Sequence, residues 1–233
     1  MKKRWVIPDI HGYVETLRVL VENCLQLTKD DSLFFLGDYI DRGPDGKSVI
    51  DYIMSLQEQG YNVRYLIGNH EDFCIRSFEA DQKRLIGKSS VQREWERYGA
   101  KSTLASFGVK RPRNIDEKYI EWMKKGEFFI ELDKYILVHA GMNFNAPNPF
   151  DDIYSMMWVR EFKVDASKTG GKKIVHGHVP VEYGLIETLI NSNNFNFIAL
   201  DNGVYYKGKD GFGNLMALDL DTLELIAQPN VDF

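Results

Sequence analysis

The segment GDYIDRG, residues 37–43, places two aspartates and an arginine directly after the apolar run SLFFL. An ordinary turn at the end of a buried strand uses small or polar residues and does not need this concentration of charge. Carboxylates can bind metal ions or orient a proton donor, and a guanidinium can hold a phosphate through two parallel hydrogen bonds. The flanking glycines allow close backbone approach and positive φ. The segment therefore predicts a functional site.

Polar residues with ligand atoms also follow other apolar runs. They are Asp9 and His11 after RWVI, Asn69 and His70 after VRYLI, His139 after YILV, and His178 after KIV. In parallel α/β sheets, ligands bind at the carboxyl ends of the strands, so these side chains should converge. Mixed oxygen and nitrogen ligation favours Mn, Fe or Zn over a Ca or Mg site built from oxygen alone.

The elements that must position these residues follow an α/β pattern. Apolar runs alternate with helical patterns over the first 70 residues, which predicts parallel strand pairing. The segment from about 72 to 126 is predicted to be helical, and FFIEL and YILVHAG to form a hairpin. The last sixty residues are predicted to be rich in strands, including KIVHGHV, GLIETLI, FNFIALD, LMALDL and LELIAQ. Two stacked sheets with helices outside would fit this order.

Composition is that of a globular protein, with 44% hydrophobic and 27% charged residues among 233. One domain over residues 1–233 is expected, with 76–126 as a basic helical insertion. That insertion has 13 Lys and Arg against 7 Asp and Glu, in a chain of net charge −5. It is either a solvated mixed-charge face or a basic lip near a site for anions.

The net charge argues against nucleic acid as a partner, and no apolar run is long enough to indicate a membrane span. We expect no membrane association and a cytoplasmic location. Cys24 and Cys74 lack metal-type spacing and are predicted to be buried thiols in a reducing compartment. The sequence leaves the oligomeric state open.

The motifs together resemble a known family. They are Asp9-x-His11, Gly37-Asp38-x-x-Asp41-Arg42-Gly43, Gly68-Asn69-His70-Glu71, His139-Ala-Gly141 and Gly177-His178. In order and spacing they are similar to the phosphoprotein phosphatases among the calcineurin-like metallophosphoesterases, especially the bacterial branch that includes the phage lambda phosphatase. The resemblance runs from residue 5 to about residue 203 and implies a four-layer α/β/β/α sandwich.

The resemblance also implies roles for individual residues. Two divalent metal ions, Mn or else Fe or Zn, would be bound by Asp9, His11, Asp38, Asn69, His139 and His178, with Asp38 between them. A hydroxide held by the metals would attack phosphorus in line, without a phospho-enzyme. His70 would protonate the leaving group and Asp41 would orient it, while Arg42, Arg160 and Asn69 would bind the phosphate.

Three functions remain open on this resemblance. The main prediction is a Ser/Thr protein phosphatase, with phosphotyrosine as a further substrate, whose partner is a phosphorylated protein or peptide. The alternative is a symmetrical dinucleoside polyphosphate hydrolase, which shares the metal motifs. Asp41 and Glu71 favour the protein phosphatase over this alternative. A catalytically silent metal-bound binding module is the remote third. His176 is expected on the same face as His178, in a structural or supporting role, and Tyr205 and Tyr206 are given no role.

Overall fold

The computed structural model describes residues 2–192 and 194–232. The strands are β1 (Arg4–Ile7), β2 (Ser32–Phe35), β3 (Asn62–Tyr65), β4 (Phe129–Glu131), β5 (Tyr135–Val138), β6 (Lys173–His176), β7 (Phe197–Ala199), β8 (Asn214–Asp219) and β9 (Leu225–Pro229). The helices are α1 (Val14–Arg18, continued by a π-helical turn at Val19–Cys24), α2 (Gly46–Glu58), α3 (Asn69–Gln82), α4 (Ser90–Trp95), α5 (Ala100–Ser106), α6 (Glu117–Lys124), α7 (Ile153–Trp158) and α8 (Tyr183–Asn191).

The strands form two mixed sheets. The first has the order β3-β2-β1-β8-β9, with β1, β2 and β3 parallel and the last two antiparallel. The second has the order β4-β5-β6-β7, in which only the β4–β5 hairpin is antiparallel. The predicted parallel pairing and the hairpin are both confirmed.

Alternation of apolar residues along the strands stacks these sheets face to face. Val6 of β1 and Val175 of β6 lie in one core between the sheets, whereas Trp5 and Ile7 face a core under helices. Ile174 faces a third core, on the outer side of the second sheet. Because side chains of a strand alternate between faces, β1 and β6 each contribute to two cores. The α/β fold with two mixed sheets flanked by helices is therefore confirmed.

One predicted strand, GLIETLI, is helical and lies in α8. Its buried residues are Ile186, Leu189 and Ile190, spaced three and four apart, whereas Leu185 is 44% exposed. Such spacing gives one apolar face in a helix and no alternation in a strand. The prediction was wrong because a short apolar run does not distinguish the two elements.

The segment 76–126 contains the end of α3 and all of α4, α5 and α6. Several of its basic residues are engaged in ion pairs, such as Lys88 with Glu96 and Arg111 with Asp81. Its inner side buries Trp95, Leu104 and Ile120. The pairing of these charges resembles the solvated face expected for such a segment.

Both cysteines are free thiols. Cys74 is buried as predicted, but Cys24 is exposed, because it lies at the end of the π-helical turn and its Sγ reaches Gln228 at 3.4 Å. Within the described part of the chain, no helix has both the length and the apolar character needed to cross a bilayer.

Candidate active site

The predicted site residues meet where the parallel strands end. Asp9 follows β1, Asp38 follows β2, Asn69 follows β3, His139 follows β5 and His178 follows β6. All five are at least nine-tenths buried except His178, which is partly exposed. The expected convergence at the carboxyl edges is thus found, and both sheets contribute to it.

The backbone at the site is unusual. Seven described residues other than glycine have positive φ, and five of them are in this site: His11, Asp38, Asp41, Arg42 and His178, with φ between 51° and 69°. Left-handed backbone costs such residues roughly 1–2 kcal/mol each. These conformations therefore need support from the surrounding structure.

Glu71 supplies much of that support. Its side-chain oxygens accept backbone N–H groups of Asp38 and Tyr39 at 2.9 Å, Gly68 at 3.0 Å and Ile40 at 3.3 Å. Each oxygen accepts two N–H groups, and Glu71 is fully buried. Glu71 therefore holds the GDYIDRG loop in place and does not face a substrate.

Two groups of side chains could bind metal ions, and they share Asp38. One contains His11, Asp38 and His70, and the other Asp38, His139 and His178, with ligand atoms within 4.8 Å of one another in each. The amide oxygen of Asn69 lies beside the second group, 3.0 Å from both His139 Nε2 and His178 Nδ1. A carboxylate shared by two such groups has the geometry of a bridging ligand.

The imidazoles of His11 and His139 fit metal ligation. Nδ1 of each donates to a main-chain carbonyl, of Ile40 at 3.0 Å and Leu36 at 2.8 Å, which leaves Nε2 as the acceptor. Nε2 of His11 accepts a hydrogen bond from Arg42 Nη1 at 2.9 Å, so its lone pair faces a cation. Burial lowers the pKa of both histidines. Neutral imidazoles of fixed tautomer are the form that binds metals.

Buried acids also fit a site for cations. Burial raises the pKa of Asp9 well above its usual range, and the charges of Asp201 and Asp38 raise it further. Burial likewise raises the pKa of Asp201 to about 7. Asp9 is not in either group of ligand atoms; both its oxygens lie within 3.1 Å of the backbone N–H of His178. Sequence reasoning missed Asp201, although it too follows a strand, β7.

Asp41 and His70 form a buried pair. Nδ1 of His70 donates to Asp41 Oδ2 at 2.6 Å, and both side chains are at most 1% exposed. Burial acts to lower the pKa of His70, but the charge of Asp38 and the hydrogen bond to Asp41 outweigh it, so the pKa is raised. The other four histidines all have lowered pKa values. Only His70 is therefore suited to carry a proton to a leaving group.

Asp41 is held by the helical insertion. Trp95 Nε1 donates to Asp41 Oδ2 at 2.6 Å, and the Thr103 hydroxyl donates to Oδ1. The backbone N–H of Asp41 in turn donates to the Thr103 oxygen at 2.9 Å. Both partners are fully buried. Sequence reasoning did not find either contact. Trp95 and Thr103 are 54 and 62 positions beyond Asp41 in the chain, and no local pattern links such distant residues.

Replacing Trp95 with Phe should lower kcat about tenfold and leave KM unchanged, because a loss of about 1.4 kcal/mol of orientation in the Asp41–His70 pair acts on the transition state alone. Steady-state kinetics would measure this. Trp122→Phe is the matched control in the same insertion, since its Nε1 contacts Gln57 only at 3.4 Å. Equal losses in the two variants, or none in the first, would refute the role of Trp95.

The predicted phosphate ligands Arg42 and Arg160 are both exposed. The guanidinium of Arg42 lies 4.2 Å from the ring centre of Tyr205, whose ring also packs against His11. Arg160 has no ion pair or hydrogen bond within residues 2–192 and 194–232. Its positive charge helps to lower the pKa of His178. Tyr205 is thus an aromatic residue of the site, to which the sequence alone assigns no role.

His176 does not share a face with His178. Its ring packs against Phe162 and Phe197, at 5.1 and 5.8 Å between ring centres, on the outer side of the second sheet. His178 has a φ of 69°, so the chain turns after β6 and the alternation of a strand no longer applies. The predicted common face was wrong for this reason.

Curated proteins are similar to this chain in sequence. An asymmetrical bis(5'-nucleosyl)-tetraphosphatase from Oceanobacillus iheyensis is 27% identical over 150 residues, 59% of this chain and 55% of that protein. The chain thus spans about half the length of that relative. A protein of the same name from Anoxybacillus flavithermus is 24% identical, over 97% of this chain and 93% of its own.

Solved structures share the fold. A provisionally named diadenosine tetraphosphatase superposes with a TM-score of 0.65 at 17% identity, covering 100% of this chain and 95% of that one. A protein serine/threonine phosphatase from Saccharomyces cerevisiae gives 0.62 at 14% identity, covering 99% and 80%. The sequence profile named calcineurin-like phosphoesterase matches residues 2–217. With its two sheets and the residues at their carboxyl edges, the chain belongs to the calcineurin-like phosphoesterase family.

Proposed function

We propose that this chain hydrolyses dinucleoside polyphosphates, with a bis(5'-nucleosyl) tetraphosphate as substrate and divalent metal ions as cofactor. The reaction class is carried by one observation: His70, the one histidine with a raised pKa, is paired with Asp41 beside Asp38, the carboxylate shared by two ligand groups. The substrate class is supported by the names of the curated relatives.

The expectation that the partner is a phosphorylated protein or peptide was wrong. The curated relatives from both organisms are named for hydrolysis of bis(5'-nucleosyl) tetraphosphates, which are small nucleotides. The physical reason for the error lies in Glu71. The residue type at this position favours protein phosphatases, yet its carboxylate accepts four backbone N–H groups and is not free to select a substrate.

Members of this family use two divalent metal ions, and the donors present here fit them. In our proposal His11 and Asp9 lie on one side of Asp38, and Asn69, His139 and His178 on the other. When bound, two such ions polarise the phosphoryl group and activate a water molecule at neutral pH. The cations would also remove the cost of burying Asp9 and Asp201 as anions.

The remaining residues bind phosphate and move one proton. Arg42 and Arg160 present exposed guanidinium groups to the polyphosphate, and Asn69 also contacts it. The water oxygen forms a new bond to phosphorus, the bridging P–O bond breaks, and His70 gives its Nε2 proton to the departing nucleoside phosphate. Asp41 holds Nδ1–H and stabilises the imidazolium until the transfer. The proton lost by water passes to solvent, so the products are two nucleotides.

A substrate panel on metal-stripped protein reloaded with Mn²⁺ tests this proposal. We expect kcat/KM for diadenosine tetraphosphate to exceed that for phosphothreonine and phosphotyrosine peptides by at least about tenfold, or ~1.4 kcal/mol. Chromatography of the products separates symmetrical cleavage, two ADP, from asymmetrical cleavage, ATP and AMP.

The metal-stripped protein without Mn²⁺ is the control for cofactor dependence. A preference for the phosphothreonine peptide would refute the substrate class and leave the metal chemistry intact. Metal binding without turnover of any substrate would refute the activity altogether and indicate a silent binding module.

A further inference from the structure

A largely apolar cavity of about 330 Å³ lies next to the candidate active site. We call it the side cavity; its walls include Phe162, Phe195 and Phe197 and, from α8, Leu185 and Leu189. The rings of Phe162 and Phe195 are each 6.0 Å from that of Phe197 between centres. The volume lies at the lower end of the range of about 300–1,000 Å³ common for small-molecule sites.

The side cavity and the phosphate site share a wall. Arg160 lines the cavity, and its charge also acts on His178. Val179, the neighbour of His178 in the chain, lines it too. When the phosphates of a ligand contact Arg160, the group attached to those phosphates can therefore reach the side cavity. In a dinucleoside polyphosphate, that group is a nucleoside.

His176 gives the cavity a polar wall. Its Nδ1 donates to the carbonyl of Gly177 at 3.1 Å, so Nε2 is the acceptor. Nε2 is buried and has no hydrogen-bond partner among the described residues. Buried polar atoms in folded proteins are nearly always paired. An amino group on the edge of a bound base is a donor that would pair with it.

We propose that the side cavity binds one purine base of the substrate, stacked on its phenylalanine rings with an exocyclic amino group toward His176. This assignment rests on the proposed function and extends it to a base-recognition site. Stacking of a base on an aromatic side chain contributes roughly 1–3 kcal/mol. The base thus fixes one end of the ligand, while the arginines hold its phosphates.

Phe195→Ala and Leu185→Ala test the proposal, since both side chains are partly or largely exposed and their loss spares the core. The KM for diadenosine tetraphosphate is compared with the inhibition constant of inorganic tripolyphosphate, which has phosphates and no base. We expect the ratio of the two constants to rise about tenfold in Phe195→Ala, equivalent to ~1.4 kcal/mol, and less in Leu185→Ala. Tyr61→Ala is the aromatic control, because Tyr61 precedes β3 in the first sheet and does not line the side cavity, and its ratio should match the wild type.

The outcomes separate the two proposals. If the wild type hydrolyses diadenosine tetraphosphate and the ratio is unchanged in both cavity variants, the base site is refuted and the function stands. If the wild type dephosphorylates peptides and not the dinucleotide, the proposed function fails and the base site with it. A higher ratio in the cavity variants alone supports both.

Discussion

Asp38→Asn is expected to lower kcat by about 10⁴-fold or more and to reduce bound metal from two equivalents to at most one. Asp38 is the carboxylate that both ligand groups share, with Oδ2 3.8 Å from Nε2 of His11 and Oδ1 3.5 Å from Nε2 of His139. An amide has no negative charge and only one oxygen, so it cannot bridge two cations. Losing the several kcal/mol that such ions contribute corresponds to this factor.

Elemental analysis of dialysed protein and steady-state kinetics would measure both effects. The fold should be unaffected. Asp38 Oδ1 accepts a hydrogen bond from the backbone N–H of His70 at 3.1 Å, and the amide oxygen of asparagine can accept the same bond. Asp45→Asn is the matched control on the adjoining loop: Asp45 caps α2 through the Ser48 N–H, and Asn caps equally well. Two bound metals and full activity in Asp38→Asn would remove Asp38 from the centre of the site.

His70→Asn is expected to lower kcat for diadenosine tetraphosphate by about 10²-fold, at the lower end of the range for general acid catalysis. Metal content should stay at the wild-type level. The loss should be similar for p-nitrophenyl phosphate, because its phenolate is about as weak a base as the departing nucleoside phosphate. It should be larger for an alkyl phosphate, because an alkoxide is a much stronger base and needs a proton to depart.

A double-mutant cycle with Asp41→Asn sharpens this test. Because Asp41 acts through His70 at 2.6 Å, the double variant should lose no more activity than His70→Asn alone. Additive losses would show that Asp41 has a separate task. An equal loss on all three leaving groups would exclude His70 as the proton donor.

The sequence predicted those parts of the site that depend on strand ends. Each apolar run is followed by a polar site residue: Asp38, Asn69, His139 or His178. Parallel pairing brings the carboxyl ends of the strands together, whichever residues follow them. The two-sheet fold was accessible for the same reason, since apolar alternation decides which face is buried. The helix at GLIETLI was not predicted, because a short run of apolar residues is also typical of a strand.

Contacts between distant segments were not accessible in this way. Trp95 and Thr103 meet Asp41 only after the insertion has packed on the GDYIDRG loop. Tyr205 reaches Arg42 from a loop beyond β7. The departure of His178 from the face of His176 depends on one dihedral angle, the positive φ of His178, which a period-two pattern does not anticipate.

The left-handed residues of the site have a consequence for mutational tolerance. Five residues for which we propose roles in the site occupy backbone positions where glycine would be the relaxed choice. Together they cost on the order of 5 kcal/mol or more, comparable with the whole net stability of a small domain. The stacked cores between and around the sheets must offset that cost, which leaves less margin for destabilising changes elsewhere. Variants selected for heat resistance alone would therefore tend to lose these residues first, and activity with them.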